Sequence, residues 1–148
     1  MADYCTEDDL KKIRPNIMEF GVKDWSDQIN EAGDIIDRVL ETRWYRRLAE
    51  ENGLDWRVIS FDRLLLLNAS TELVRLGCYK TLELCYLFLM KHSQEADAFE
   101  RQRGLFSKLY SGELKDVLDA GFDYDWDQSG AIDPGESKIP QVRRLVRV

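Results

Sequence analysis

Apolar residues recur at steps of three and four through most of the chain, the period of helices that bury one stripe. Over 24–50 the positions Ile29, Ala32, Ile36, Val39 and Leu40 keep this rhythm and Asn52-Gly53 follows as a stop, which predicts one long amphipathic helix. Over about 61–92 the series Leu64, Leu67, Thr71, Val74, Cys78, Leu82, Cys85 and Leu89 predicts a second helix, the longest and most apolar. Leu84, Tyr86 and Phe88 lie off its main stripe, so burial on several sides is expected, as for the central helix of a bundle, with Gly77 a candidate kink. A third helix is predicted over 94–110 from Ala98, Phe99, Leu105, Phe106 and Leu109. After Ser111-Gly112 a short fourth should run over 113–120, with Gly121 ending the helical body. Near the start, Thr6 stands before Glu7, Asp8 and Asp9, an N-cap oxygen followed by carboxylates that suit the dipole of a two-turn helix ending near Arg14-Pro15. The fold class is therefore mainly α: a helical bundle domain over 1–121, then an acidic loop and an extended C-terminal arm over 122–148, with no linker or repeat to mark a second core.

The final stretch changes character twice. Seven acidic residues after Glu113, ending at Glu136, face only Lys115, and then Lys138, Arg143, Arg144 and Arg147 follow without an acid. Within the acidic part, 125–136 reads DWDQSGAIDPGE, which lies on the twelve-residue EF-hand loop with an oxygen donor at each required position. Asp125 takes position one, Asp127 three, Ser129 five, the Ala131 carbonyl seven, Asp133 nine and Glu136 the bidentate twelfth. Gly130 falls at the sharp turn of position six. Pro134 and Pro140 stand where an outgoing helix should grow, which argues against a paired calcium sensor and for a structural Ca²⁺ loop; a merely solvated acidic loop is the other reading. In the arm, Val142, Val146 and Val148 alternate with Leu145 and the arginines. Ile139, Val142, Arg143, Arg144, Leu145, Val146 and Arg147 could add as a strand to a partner's edge, or form a frayed end.

Composition narrows the function. At 148 residues and 44% hydrophobic the chain can build one sizeable core, and a net charge of −7 is wrong for gripping phosphates. The opening MADYCTEDDLKK lacks a basic region followed by an apolar one, and the longest apolar block, Leu82 to Met90, is about half a bilayer crossing and contains Glu83. Cys5, Cys78 and Cys85 form no CxxC pair and read as small core residues in a reducing compartment. The single histidine, His92, is expected to cap a helix end, and no phosphate loop, nucleophile elbow or HExxH occurs, so the expectation is binding and not catalysis. Trp44-Tyr45-Arg46-Arg47 reads as aromatics packed at a helix end under arginine stems, more than as an exposed binding patch.

With these residues in view, the chain resembles the head-tail adaptor (connector or head-completion) proteins of tailed bacteriophages. Tyr4, Thr6 and Asp9-Leu10 are similar to that family's start, and Ile29, Ala32, Ile36-Asp37, Leu40, Arg43 and Tyr45 to its second helix, although Trp44 here separates the usual Arg-Tyr pair. Arg103-Gly104-Leu105 through Tyr110-Ser111-Gly112-Glu113-Leu114 resembles its last helix, and YDWDQSG before RRLVR is also familiar in such sequences. The resemblance implies a structural protein of the virion neck, assembled in the host cytoplasm. Identical subunits, twelve to match the portal, would ring the portal protein, contact other neck and tail-completion proteins through the arm, and pass DNA only as cargo. A different class also fits the loop, an EF-hand-like calcium-binding regulatory or scaffold protein.

Overall fold

The computed structural model describes residues 3–67, 73–94 and 96–129. Its mainly helical architecture agrees with the class expected from the sequence. Helix α1 is Glu7–Ile13, and Thr6 opens it with a reciprocal capping box: its hydroxyl accepts from the Asp9 amide while the Asp9 carboxylate accepts from the Thr6 amide at 2.9 Å. Helix α2 is Ser26–Leu40, continued by one wider π turn, Glu41–Tyr45, and by α3, Arg46–Glu51. Together these are the predicted long helix. The π turn was not foreseen, and its extra residue lets the consecutive Trp44 and Tyr45 both face inward, at 1% and 0% exposure.

The second helix departs from expectation. It begins at Val74 and runs to His92 (α4), whereas Arg63–Leu65 is a 3₁₀ turn and Leu66–Leu67 a strand, β1. The Asp62 carboxylate accepts from the Leu64 amide at 2.9 Å and turns the chain, and β1 pairs antiparallel with β2, Asp123–Tyr124, in the register Leu66 to Tyr124 and Leu67 to Asp123. A local helical rhythm at Leu64 and Leu67 thus gives way to a long-range ladder that periodicity does not register. Gly77 does not kink α4. A Cβ there would stand 2.7 Å from the Tyr4 Cβ, so the glycine is the seat on which the N-terminal segment lies across the helix.

The third and fourth predicted helices are one element, α5, Ala96–Ala120, longer than α4. The helix continues through Ser111-Gly112, with the Ser111 hydroxyl bonded back to the Ser107 carbonyl at 3.1 Å. Packing along α4 outweighs the roughly 1 kcal/mol that a helix-interior glycine costs. Gly121, at φ 83°, then ends it in the left-handed conformation. With only three residues of sequence between them, α4 and α5 pack as an antiparallel hairpin, with α2 and α1 laid on α4. One core cluster joins Ile36, Leu40, Trp44, Leu76, Leu114 and Phe122; the other joins Leu10, Trp25, Cys78, Leu82, Phe99 and Phe106. The three cysteines are free and buried, as expected of core residues.

Tyr110, in the α4–α5 seam, yields a pH prediction. Burial pushes its phenol up to about 12, and its hydroxyl has no hydrogen-bond partner among the described residues. The folded state therefore holds this proton more tightly than the unfolded chain. Its contribution is complete below pH about 10 and falls by up to about 1.4 kcal/mol per unit as pH rises toward the folded value. Tyr110→Phe should leave neutral-pH stability unchanged or raise it by up to about 1 kcal/mol, because an unmade buried hydrogen bond is removed. Denaturant melts at neutral and alkaline pH check this, the variant showing a flatter alkaline decline than the parent.

Candidate functional site: the start of the acidic loop

Beyond Gly121 the chain turns back into the body. Phe122, Asp123, Tyr124 and Asp125 are all buried, the two aspartates at 4% exposure, so this part of the acidic stretch is not the solvated loop that its composition suggests. An aromatic floor receives it. Trp126 stacks on Tyr45, with centroids 5.6 Å apart and planes 11° apart, and Tyr124 stacks on Phe61 at 5.8 Å. Trp44 meets the Phe122 ring edge-to-face at 5.1 Å. The Asp125 amide donates to the Leu65 carbonyl at 2.9 Å, carrying the ladder one step past β2. The Tyr124 hydroxyl accepts from the Asp62 amide at 3.2 Å, and burial raises its phenol above the ordinary value.

On this floor the first three ligand-type residues of the loop converge. The Ser129 amide donates to the Asp125 Oδ1 at 2.9 Å and to the Asp127 Oδ1 at 3.0 Å, and the Ser129 hydroxyl lies 3.4 Å from the same Asp125 oxygen. Gln128, between them, takes a left-handed φ of 57°, and its amide bonds to the Asp125 carbonyl. Positions one, three and five thus curl around the Ser129 amide, to which both carboxylates are bonded. Ala131, Asp133 and Glu136 lie outside the described residues, as does every residue of the 138–148 arm. Among the described residues no three carboxylates, thiols or imidazoles gather as a ligand set.

The other sequence candidates are resolved by packing. Trp44 and Tyr45 form the floor just described, while the Arg46 guanidinium lies 4.1 Å over the Trp56 ring. The His92 ring rests against Phe88 at 4.4 Å, on a shallow cleft of about 500 Å³ that Phe20, Val22 and Phe99 also line.

One polar cluster escaped the sequence reading. Arg63 donates through Nε to Asp37 at 2.9 Å and through Nη2 to the same carboxylate. Tyr4 donates its hydroxyl to the other Asp37 oxygen, and Arg63 lies over the Tyr4 ring at 4.8 Å. A Cβ on Gly33 would stand 2.8 Å from the Arg63 guanidinium, so the arginine occupies the space that glycine leaves on α2. Burial alone would lower the Arg63 pKa, but the Asp37 hydrogen bond and charge raise it; burial, then Asp37, raise that of Tyr4. This cluster ties the N-terminal segment, α2 and the approach to β1 together beneath the loop. Its members are 26 and 33 residues apart, and no local pattern signals them.

Compared with protein-family models, with curated proteins and with solved structures, the chain matches none of them. Among the described residues no helix is long and apolar enough to cross a membrane.

Proposed function

We propose that the chain is a structural head-tail adaptor of a tailed bacteriophage, a subunit of a portal-bound ring of twelve copies that joins capsid to tail at the virion neck. The observation that carries this reading is the anchoring of 122–126, just ahead of the arm in the sequence: the aromatic floor and the β1–β2 ladder hold this segment against the body. Elsewhere on the surface Val58 is 80% exposed and Leu64, next to the Leu65 that bonds Asp125, 62%, apolar side chains of the kind that subunit contacts cover. The portal and the next neck proteins are the partners, with DNA as passing cargo and no membrane.

Deleting 138–148 should leave helix content and melting nearly unchanged while abolishing head-to-tail joining, because the deleted residues lie beyond the anchored floor. Electron microscopy of particles assembled with the truncated protein reads the result. Normal tail attachment would show that the arm has no joining role, and a full-length protein with no affinity for portal or neck proteins would sink the adaptor reading.

The convergence of Asp125, Asp127 and Ser129 favours a second reading, of a Ca²⁺-binding regulatory or scaffold protein, and equally a structural Ca²⁺ within the adaptor. Calcium at a hundredfold over its Kd should stabilise the fold by about 2.7 kcal/mol. Glu136→Gln should weaken the effect most, since the twelfth position supplies two oxygens. Titration calorimetry and melting with and without chelator check it; no heat and no shift at millimolar calcium would leave an acidic turn.

A further inference from the structure

Two of the three cysteines meet where the N-terminal segment crosses α4. Tyr4 lies in the space that Gly77 leaves: a Cβ on the glycine would stand 2.7 Å from the Tyr4 Cβ and 3.2 Å from its carbonyl carbon. The residues that follow these two, Cys5 and Cys78, are thereby brought side by side. Both are buried, and their thiols hydrogen-bond to one another. Thr81, one turn further along α4, fixes the first of them, since its hydroxyl lies 3.3 Å from the Cys5 sulfur and donates to the Gly77 carbonyl at 2.7 Å. Cys85 is buried in the same core cluster, but among the described residues no thiol bonds to it.

A paired thiol differs chemically from a lone one. The bond from Cys78 brings the Cys5 pKa below its ordinary value although burial opposes it, whereas the same bond and burial raise that of Cys78. Burial raises that of Cys85 as well. One sulfur that releases its proton more readily thus stands beside one that retains it, the arrangement of a nucleophile and its resolving thiol. Cys78 also forms part of the wall of a surface cleft of about 330 Å³, which Lys12, Arg75 and Tyr79 line with it. An oxidant the size of a water molecule fits that cleft.

We propose that Cys5 and Cys78 are a reversible redox latch, which hydrogen peroxide closes into a disulfide that staples the N-terminal segment to α4 and a thiol reductant reopens. The Cys5 thiolate attacks one peroxide oxygen, the O–O bond breaks, and the leaving hydroxide takes up the released proton as water. The Cys78 sulfur then attacks the Cys5 sulfenic acid; the S–S bond forms, the S–O bond breaks, and the hydroxyl leaves with the Cys78 proton as a second water. Two thiols are oxidised and one peroxide is reduced. The latch does not rest on the adaptor reading, because both sulfurs belong to one chain and need no partner.

The folded full chain, treated with about 1 mM hydrogen peroxide, should lose about 2 Da in intact mass. Peptide mapping without reductant should place the link between Cys5 and Cys78, with Cys85 still open to alkylation after unfolding. The oxidised chain should melt at least about 5 °C above the reduced one, since the link closes a long loop, and dithiothreitol should reverse both changes. Cys5→Ser and Cys78→Ser should each abolish the mass loss and the shift, while Cys85→Ala should keep them. Mapping of the parent decides the case even where a variant folds poorly. The proposal is overturned if the parent keeps three alkylatable thiols, if it gains oxygen in place of losing hydrogen, if the link involves Cys85 or a second chain, or if the linked chain melts no higher.

Discussion

Trp44→Ala should destabilise the protein by about 3–5 kcal/mol, the range for emptying a fully buried aromatic site. Trp44 is 1% exposed and contacts Phe122, Tyr124 and Trp126 at centroid distances of 5.1, 5.8 and 6.1 Å. Every one of those partners belongs to the segment that returns from α5, so the cavity opens under that segment. Trp44→Phe, which retains one ring, should cost roughly half as much or less. Denaturant melts give the size of the loss, and amide exchange gives its place. Protection at 122–126 should fall well before protection in the α4–α5 hairpin. Equal loss in both would mean that the floor is not a separable layer and that 122–126 is not held by Trp44. On the adaptor reading, the same variant should also impair joining in the particle assay.

The second large effect belongs to the Asp37 cluster. Asp37→Ala should cost about 2–4 kcal/mol, because the half-buried Tyr4 hydroxyl loses its acceptor and Arg63 loses its closest charge partner in a partly desolvated site. For Arg63, with its side chain 16% exposed, the remaining carboxylate at 3.8 Å, Asp34, is 83% exposed and correspondingly screened. Asp37→Asn retains an acceptor and should cost about 1–2 kcal/mol. The double variant Asp37→Ala with Arg63→Met should lose less than the sum of the single changes, since no charge is then left in the site. Thermal or denaturant unfolding of the four proteins completes the cycle, and strict additivity would count against a coupled cluster.

These two expectations fall on residues whose roles differ in legibility. Trp44 and Tyr45 announced themselves as helix-end aromatics, but the π turn that carries them has no local signal and follows from what packs against it. Asp37 stood out only as a member of an adaptor-like stretch. Its partners come from elements far along the chain, where neither period nor spacing points to them.

What the sequence determined by itself is what neighbours three and four residues apart decide. It includes the Thr6 capping box, the stripe from Ile29 to Leu40, the apolar face of α4 from Val74 to Leu89, and the stop at Gly121. The turn at Asp125, Asp127 and Ser129 was legible for a related reason, since its hydrogen bonds span two to four residues. The tertiary structure alone decided where α4 begins, because Leu66 and Leu67 satisfy their backbone on β2 from the far end of the chain. It decided that Ser111-Gly112 continues a helix, because the α4 surface supports α5 on both sides of the glycine. It also decided that Asp123 and Asp125 are buried: their charge predicts solvent, but the aromatic floor beneath them exists only when α2, α3 and the segment ahead of β1 have come together. Local free energies of a kilocalorie or so set the helices, and burial summed over distant surfaces overrides them wherever the two disagree.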